Sequence, residues 1–414
     1  FAVNFQGRLS ISLFIRIMIV TTAIKNKTLH DLAVLIDTHR TELIEQNQLD
    51  LKQAANLDPT LIDRLKVDEK KVKAMIEAIE EVIALEDPQG ALLSTYHHPN
   101  GMKVENKVVP FGRILIIYES RPDVTIEAAI SAFKAGNHIF LKGGKESKNS
   151  NMYLVSLWKK ALELNGLPAG FVTYLDIDRE ETQRLLKENP YKLDLIIPRG
   201  GDGLISYIRQ NTSVPLIISG RGNNFVYVHK DADLQMAKQI LLNGKSRLSV
   251  CNATDKVLFN KHIPQLKEKM QDIINAANNM GLEVMCDGDF FSTFTGIQPI
   301  QDKAIYAEEF LSSKILFALI DDLDTAITTI NAYSGGHSAT IVSKDETPAI
   351  QFQHEVDCAA VYHNASTRFT DGGQFGFGAE IAISTQKLHF RGPVGLAQLV
   401  TNKWFISGNG QVRN

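Results

Sequence analysis

Short apolar runs that alternate with helical patterns are the feature that most constrains the fold of this 414-residue chain. The run 113–118, Arg-Ile-Leu-Ile-Ile-Tyr, is almost continuously apolar, which is typical of a strand covered on both faces. The predicted strands are 113–118, 138–142, 171–175, 193–197 and 216–218, and the first predicted helices are 124–135 and 150–165. Strands that alternate with helices predict an α/β fold with a doubly wound parallel sheet, which binds ligands at the carboxyl ends of its strands.

The segments on either side of this region have different patterns. Residues 28–85 repeat apolar side chains at helical spacing, so we predict packing helices there. Residues 95–109 contain a turn signal between alternating segments, which predicts a protruding hairpin. The remainder predicts a second α/β unit, followed by a C-terminal strand that could pair with a partner subunit. Its predicted helices are 237–242 and 262–278, and its predicted strands are 314–320, 339–342 and 404–406.

Composition argues against several classes of protein. Hydrophobic residues make up 44% and charged residues 22% of the chain, which is typical of a globular enzyme. The formal net charge of −3 gives no strong attraction to nucleic acid or to an anionic membrane. The apolar run 9–20 is interrupted by Arg16 and is too short to span a bilayer. We interpret residues 1–17 as an N-terminal extension, with a signal peptide as the alternative, and we expect a cytoplasmic location.

Cys251 is the first candidate for chemistry. Three cysteines are too few for a disulfide framework, and such scarce cysteines fit a reducing compartment. Cys251 lies in the stretch Ser-Val-Cys-Asn-Ala-Thr, after a Gly-rich turn and before a charged segment that we predict to be helical. It is either a nucleophile or, like most free cysteines, a packing residue. Cys286 and Cys358 lie in ordinary contexts, and we predict that they only pack.

Several polar segments have the composition of anion-binding loops. Residues 142–145, Lys-Gly-Gly-Lys, follow one predicted strand, and residues 198–203, Pro-Arg-Gly-Gly-Asp-Gly, follow another and begin a helix. Glycines let the backbone approach a ligand, and a helix N-terminus suits a phosphate. Residues 364–373 and Arg121 supply cations for a small anionic substrate. On these features alone a solvated surface loop remains the alternative. The sequence contains no metal-binding motif.

Five stretches, taken in their order along the chain, carry a resemblance to a known family. They are 118–122 (Tyr-Glu-Ser-Arg-Pro), 198–201 (Pro-Arg-Gly-Gly), 249–253 (Ser-Val-Cys-Asn-Ala), 364–373 (Asn-Ala-Ser-Thr-Arg-Phe-Thr-Asp-Gly-Gly) and 384–389 (Ser-Thr-Gln-Lys-Leu-His). Together they resemble the aldehyde dehydrogenase superfamily, over essentially residues 28–413. The resemblance implies a Rossmann-type NADP-binding domain (18–96 and 112–224), an α/β catalytic domain (225–396) and a small oligomerisation flap (97–111 and 397–414).

The resemblance also implies a reaction. The stretches are similar to the branch of the superfamily that reduces an acyl phosphate with NADPH, and they imply conversion of L-glutamate 5-phosphate to L-glutamate 5-semialdehyde and phosphate in proline biosynthesis. A homo-oligomer, dimer or tetramer, and a functional association with glutamate 5-kinase are implied as well. The alternatives are a thioacyl-forming enzyme that acts on another acyl donor, such as an acyl-CoA, and a non-catalytic member of the family.

The roles of individual residues follow from the same resemblance. Cys251 is implied as the nucleophile that forms a thioacyl enzyme, and Ser120 takes the position of the superfamily's oxyanion-hole side chain. Ser219 stands where hydrolytic members have a catalytic Glu, so we expect the thioacyl enzyme to resist water. The implied cofactor residues are Lys142, Lys145, Gly200, Gly201 and Glu309, with Glu308 as the one-residue alternative to Glu309. The implied substrate residues are Arg121, Asn364, Ser366, Thr367 and Arg368.

Overall fold

The chain forms two compact units in a computed structural model that describes residues 20–56 and 59–413. Among the described residues, the first unit consists of those up to Ile217, of Phe377–Ala382 and of those from Val394 onward, and the second consists of Ile218–Gly376 and Ile383–Pro393. The predicted extension, residues 1–17, lies outside the described residues. Helices combined with parallel sheets in both units confirm the predicted α/β fold class.

Four helices begin the first unit. They are α1 (Thr22–Thr38), α2 (Arg40–Gln53), α3 (Pro59–Leu65) and α4 (Glu69–Ala84). Asp68 caps the N-terminus of α4 by accepting a hydrogen bond from the N–H of Lys71. The buried face of α4 carries apolar residues at helical spacing: Val72, Met75, Ile79 and Val82. The predicted packing helices are therefore confirmed.

A hairpin follows these helices. Its strands β1 (Leu92–His97) and β2 (Lys103–Pro110) pair in antiparallel fashion. Gly101, in the connecting turn, has a φ of 89°, a left-handed conformation that a residue without a Cβ adopts at little cost. The hairpin predicted from residues 95–109 is confirmed.

A parallel four-stranded sheet forms the centre of the first unit. Its strands are β3 (Arg113–Tyr118), β4 (His138–Lys142), β5 (Val172–Tyr174) and β6 (Leu195–Arg199), in the order β5-β4-β3-β6. The accompanying helices are α5 (Val124–Lys134), α6 (Lys148–Leu164), α7 (Arg179–Glu188) and α8 (Asp202–Asn211). Strand β3 is buried from Ile114 to Tyr118, as its apolar sequence predicts.

The predicted fifth strand, 216–218, is wrong. This segment makes one isolated bridge, between Leu216 and Ile196. Ile196 receives one hydrogen bond at its carbonyl from Ile217 and donates one to the carbonyl of Pro215. Because Pro215 has no N–H of its own, the pairing does not extend into a ladder.

A parallel seven-stranded sheet forms the centre of the second unit. Its strands are β7 (Asn224–Val228), β8 (Thr254–Asn260), β9 (Glu283–Asp287), β10 (Gln298–Pro299), β11 (Lys314–Ile320), β12 (Ser338–Val342) and β13 (Ala360–His363), in the order β10-β9-β11-β8-β7-β12-β13. Its helices are α9 (Leu234–Gly244), α10 (Leu266–Asn279), α11 (Leu323–Tyr333) and α12 (Glu346–Glu355). The second α/β unit predicted from the sequence is confirmed, although β7, β8, β9, β10, β13, α11 and α12 were not among its predicted elements.

The segment after Cys251 is a strand, and the helix predicted there is wrong. Every residue of β8 is buried, including Asp255 and Lys256, whose charges suggested a solvated helix. The charge of Asp255 is matched inside the protein by Lys245, whose Nζ lies 2.6 Å from Asp255 Oδ1. Charged side chains of this kind follow no apolar period, so the sequence pattern does not reveal the strand.

Three strands complete the described chain: β14 (Ala382–Ser384), β15 (Gly392–Val394) and β16 (Val400–Ser407). Strand β16 pairs in antiparallel fashion with β2, and Trp404 lies opposite Asn106, so that β1, β2 and β16 form one three-stranded sheet. The predicted C-terminal strand is therefore present, and it pairs with the predicted hairpin of the same chain. Within residues 20–56 and 59–413, no helix combines the length and the apolar character that a membrane crossing requires.

Candidate active site

Cys251 lies in a turn immediately before β8 and is the most accessible of the three cysteines. Its side chain is partly exposed, whereas Cys286 and Cys358 are buried. Burial raises the pKa of the Cys286 thiol, and it raises the pKa of the Cys358 thiol to about 11. The thiolate is the reactive form of cysteine, and a raised pKa reduces its amount. Cys286 and Cys358 are therefore poor nucleophiles. The structure therefore supports Cys251 as the candidate nucleophile.

Gly222 lies directly against the Cys251 turn. A Cβ added to Gly222 would lie 1.9 Å from the carbonyl oxygen of Cys251, which is far inside van der Waals contact. The side-chain amide of Asn224, at the start of β7, donates to the carbonyl oxygens of Cys251 and Ala253, both at 2.7 Å. Asn224 is fully buried, so these hydrogen bonds are shielded from water. Together, Gly222 and Asn224 fix the backbone of the nucleophile's turn.

Glu309 is linked to the same glycine. The backbone N–H of Gly222 donates to Oε1 of Glu309 at 2.9 Å. Glu308, its one-residue alternative, is exposed. The structure thus places the Glu309 carboxylate on the segment that supports Cys251, where the resemblance implies a contact with the nicotinamide ribose.

Buried charges hold the segment that carries Glu309. Asp255 Oδ2 accepts a hydrogen bond from the N–H of Phe310 at 2.8 Å, and the ammonium of Lys256 donates to the carbonyl oxygen of Glu308. Lys256 Nζ also lies 3.7 Å from the centre of the Phe310 ring, in a cation–π contact. Two neighbouring residues of β8 therefore fix the backbone on both sides of Glu309.

Lys256 is fully buried, and its surroundings shift its pKa strongly. Desolvation lowers the pKa of its ammonium from 10.5 to about 7, opposed by the charge of Asp255 and reinforced by that of Lys245. Glu308 and Glu309 also favour the charged form. The protonation state of this lysine therefore changes near neutral pH.

The predicted substrate loop is joined to Cys251 through the next residue. Arg368 Nη1 donates to Oδ1 of Asn252, and the Asn252 amide donates to the carbonyl oxygens of Arg368 and Thr370. The Thr367 hydroxyl donates to the carbonyl oxygen of Asn252 at 2.9 Å. Ser366 Oγ accepts from the N–H of Arg368 at 3.3 Å. The structure thus brings the Ser366–Thr367–Arg368 loop next to the candidate nucleophile.

Asn364 has a different place. Its Oδ1 accepts from the N–H of Ser343 at 3.0 Å, and its Nδ2 donates to the carbonyl oxygen of Ser343 at 2.8 Å. Both ends of the Asn364 amide therefore bind the segment that follows β12. These contacts hold the loop, and a contact between Asn364 and substrate stays a prediction.

Ser120 lies at the carboxyl end of β3 in the first unit. It has a φ of 39°, and both its N–H and its hydroxyl donate to Oε1 of Glu146, at 2.8 and 2.7 Å. A serine hydroxyl has one proton to donate, and here Glu146 accepts it. The oxyanion-hole role of Ser120 stays a prediction. It requires that the Ser120 hydroxyl give up its hydrogen bond to Glu146.

The predicted cofactor residues of the first unit lie at carboxyl ends of its strands. Lys142 ends β4 and is partly buried, which lowers its pKa, and the exposed Lys145 begins the next turn. Gly200 and Gly201 connect β6 to α8. The N–H of Gly201 donates to Oε2 of Glu119 at 3.2 Å, so a carboxylate occupies the helix N-terminus at which a phosphate was predicted.

Charged residues surround Arg121 as well. Desolvation, reinforced by Asp123, raises the pKa of Glu127 on α5 to about 7, while Arg199 and Arg121 oppose the shift. Arg199 ends β6, beside Tyr118 of β3. Arg121 is therefore one member of a mixed charged group in the first unit, and its contact with substrate stays a prediction.

Sequence reasoning missed several residues that contact the predicted site residues of each unit. In the second unit they are Gly222, Asn224, Asp255 and Lys256, and in the first unit Glu146 binds Ser120. Gly222 and Asn224 had a readable signal, because a Gly-Asn-Asn stretch precedes the apolar run Phe-Val-Tyr-Val. The buried charged residues of β8 had no such signal in the sequence.

A cleft of about 440 Å³ between α9 and α10, lined by Lys238 and Asp272 among others, contains none of the predicted site residues. Among the described residues, no group of three or more His, Cys, Asp or Glu suits a metal ion.

Comparison with known proteins assigns the class of this architecture. The family model described as the aldehyde dehydrogenase family matches residues 20–278 and 263–379. A gamma-glutamyl phosphate reductase from Carboxydothermus hydrogenoformans is 42% identical over 403 residues, which cover 95% of each chain. One from Clostridium perfringens is 43% identical over 377 residues and 90% of each chain. The crystal structure of the gamma-glutamyl phosphate reductase from Thermotoga maritima superposes with a TM-score of 0.90 at 39% identity, covering 96% of each chain.

The chain therefore belongs to the aldehyde dehydrogenase family, and within that family to the gamma-glutamyl phosphate reductases. It is an oxidoreductase, and its family uses nicotinamide cofactors. These findings confirm the resemblance that the sequence motifs carried.

We predict that Gly222→Ala abolishes activity by displacing the Cys251 turn. Its Cβ would lie within 2.5 Å of three backbone atoms of Cys251, which cannot yield as a flexible side chain would. Thiol alkylation followed by mass spectrometry measures the reactivity of Cys251 directly. The matched control is Gly203→Ala, since nothing lies within 4 Å of a Cβ at Gly203. Normal alkylation and turnover in Gly222→Ala would contradict the close approach described above.

We predict that Lys256→Met changes how stability depends on pH. Below about pH 7 Lys256 is charged in both the folded and the unfolded state. Between about 7 and 10.5 only the unfolded state binds the proton, so the free energy of unfolding contributed by this residue rises with pH. Urea denaturation at several pH values should show the wild type gaining stability relative to Lys256→Met across this window. The exposed Lys267→Met variant should show no such trend, and a constant difference between wild type and Lys256→Met would contradict the shifted pKa.

Proposed function

We propose that this enzyme reduces L-glutamate 5-phosphate with NADPH to L-glutamate 5-semialdehyde and phosphate, the second step of proline biosynthesis from glutamate. The observation that carries the proposal is the fixed, partly exposed Cys251 turn joined to the Arg368 loop, in a chain 42% identical to a gamma-glutamyl phosphate reductase. A thiol nucleophile beside a guanidinium suits a substrate that combines an acyl carbon with anionic groups.

The covalent step follows from the chemistry of Cys251. Its thiolate attacks the acyl carbon of the substrate, the C–O bond to phosphate breaks, and a thioester on Cys251 forms as phosphate leaves. The tetrahedral intermediate carries an oxyanion, which backbone N–H groups of the rigid turn could stabilise. The hydrogen bonds from Asn224 keep the Cys251 and Ala253 carbonyls bound, which holds the turn still during the reaction.

The fate of the thioester depends on the residue at position 219. Ser219 cannot act as the general base that a carboxylate would provide, so water attacks the thioester slowly. The thioester therefore persists until hydride reduces it or phosphate reverses its formation. This difference separates a reductase of acyl phosphates from a hydrolytic aldehyde dehydrogenase.

The residues of the predicted cofactor site fit a phosphorylated dinucleotide. When bound, NADPH would supply a hydride to the thioester carbon. Lys142 and Lys145 place two cations near the carboxyl end of β4, where they would bind the adenosine ribose and its 2′-phosphate. The carboxylate of Glu309 would accept hydrogen bonds from the hydroxyls of the nicotinamide ribose. The negative charge of the Glu119 carboxylate would repel an anion bound at the N-terminus of α8.

The domain roles complete the proposal. We assign NADP binding to residues 18–96 and 112–224, catalysis to 225–396, and oligomerisation to the flap formed by 97–111 and 397–414. The sheet β1-β2-β16 exposes several large apolar side chains, which supports burial against a second copy in a homodimer or homotetramer. They are Leu92, Leu93, Tyr96, Trp404, Phe405 and Ile406. A cytoplasmic location and an association with glutamate 5-kinase stay predictions.

The reverse reaction tests the proposed function. Glutamate 5-semialdehyde, phosphate and NADP should give NADPH, which is followed by its absorbance, and omission of phosphate should stop turnover. Cys251→Ser should fold and lose at least about 10³-fold in rate, because a serine without a base is a much weaker nucleophile than a thiolate. Cys286→Ser is the control and should stay active. Turnover by Cys251→Ser above a few per cent of wild type would refute the covalent mechanism.

Cofactor preference has its own test at Lys145. The substitution Lys145→Glu puts a like charge near the 2′-phosphate, so the KM for NADP should rise at least about tenfold while the KM for NAD changes little. Lys145→Gln should give an intermediate effect, because it removes the attraction without adding repulsion. Equal changes for the two cofactors would exclude Lys145 from the adenosine-ribose site.

A further inference from the structure

A second arginine, Arg247, lies near the substrate loop and the nucleophile. It belongs to the turn between α9 and Cys251, and its side chain is exposed. Burial lowers the pKa of the Arg368 guanidinium, and the positive charge of Arg247 lowers it further. A thiolate at Cys251 acts on Arg368 in the opposite direction. Gly244, the last residue of α9, lies against the side chain of Thr254, and Thr254 Oγ1 lies 3.1 Å from Thr367 Oγ1. The turn that carries Arg247 and Cys251 therefore begins and ends beside the loop that carries Arg368.

The position of Arg368 is set by the residue after the nucleophile. Its guanidinium donates to Oδ1 of Asn252, while the Asn252 amide donates back to the carbonyl oxygen of Arg368 at 3.2 Å. Thr367 makes a further hydrogen bond to the Asn252 backbone. This arrangement holds one of the two guanidinium groups rigidly beside Cys251, and rigid donors recognise a ligand with little loss of entropy.

The cations near Cys251 are only partly neutralised. Asp371 opposes the lowering of the Arg368 pKa, but its Oδ1 also accepts hydrogen bonds from the N–H groups of Gly373 and Gln374, at 3.0 and 3.3 Å. Arg247 makes no hydrogen bond or ion pair with any residue in the described part of the chain. Two cations, one on this turn and one on the loop beside it, without a full counter-charge favour binding of an anion there.

We propose that Arg247 and Arg368 together bind the phosphate group of the acyl-phosphate substrate at Cys251. The assignment rests on the proposed function and adds a residue and a role to it. As the Cys251 Sγ–carbon bond forms, the carbon–oxygen bond breaks, and its electron pair leaves on a phosphate oxygen. Two guanidinium groups stabilise the added negative charge of the departing phosphate through charge-assisted hydrogen bonds. In the reverse direction the same pair binds inorganic phosphate for attack on the thioester.

The first experiment measures the positive field at Cys251 without any turnover. Anionic iodoacetate and neutral iodoacetamide alkylate the same thiol, and mass spectrometry reports the modification of Cys251. Arg247→Gln should lower the ratio of the iodoacetate rate to the iodoacetamide rate by about fivefold or more, whereas Arg247→Lys should keep most of it. Inorganic phosphate should slow alkylation of the wild type and lose this effect in Arg247→Gln. Lys267→Gln removes one exposed cation from α10 and should leave both readouts unchanged.

The second experiment measures how Arg247→Gln changes the KM for each substrate of the reverse reaction. Arg247→Gln should raise the KM for phosphate about 10- to 100-fold, as expected for loss of one charge-assisted contact, with the KM values for NADP and glutamate 5-semialdehyde changed less than about twofold. Because Arg247 is exposed, the variant should keep its thermal midpoint. Arg368→Lys is the companion variant, since it keeps the charge and removes the fixed fork that binds Asn252.

The outcomes separate this inference from the proposed function. Phosphate protection that depends on Arg247, in an enzyme that does not turn over glutamate 5-semialdehyde, would support the phosphate site and refute the proposed substrate. Normal turnover with an unchanged KM for phosphate and unchanged alkylation in Arg247→Gln would refute the phosphate site alone. A rise in the KM for the semialdehyde without a rise for phosphate would also refute it, because Arg247 would then bind the substrate's α-carboxylate.

Discussion

The close approach of Gly222 to Cys251 is the constraint on which the candidate site depends. There is no space for a side chain between the two backbones, and the N–H of the same glycine binds Glu309. Asn224 then holds the carbonyls of the cysteine's turn. One short segment before β7 therefore positions the nucleophile and the carboxylate proposed to bind the nicotinamide ribose. Backbone contacts of this kind do not relax as side chains do, so the distance between the two groups is fixed before any ligand binds.

Buried charged residues also fix the position of the segment that carries Glu309. Lys245, Asp255 and Lys256 lie in the interior of the second unit, where desolvation makes charge expensive. In proteins, replacement of buried charges by apolar side chains of similar volume is often neutral or stabilising. The charged residues do what apolar ones cannot, because they bind the backbone atoms of Glu308 and Phe310 on either side of Glu309. These contacts fix the backbone that carries the Glu309 carboxylate.

The sequence predicted well those elements that are buried and also mostly apolar. Strands β3, β4 and β11 have the predicted bounds, because both faces of each strand are covered and their residues are mostly apolar. Strand β8 was misread because Asp255 and Lys256 find their partners only in the folded interior. The segment 216–218 was misread for the opposite reason, since it is apolar, with Ile217 buried, but makes one isolated bridge and no ladder.

The sequence by itself determined the chemistry available to this protein: a scarce cysteine in a polar stretch, glycine turns after strands, and the motifs that place it among the gamma-glutamyl phosphate reductases. These are properties of residue type and local order, which are readable without a fold. Only the tertiary structure decided which groups meet. It joins Asn252 to Arg368, places the turn that carries Arg247 beside the same loop, and makes Glu146 the hydrogen-bond acceptor of the Ser120 hydroxyl. Such contacts depend on how strands and loops far apart in the chain pack together, and no local pattern encodes that packing.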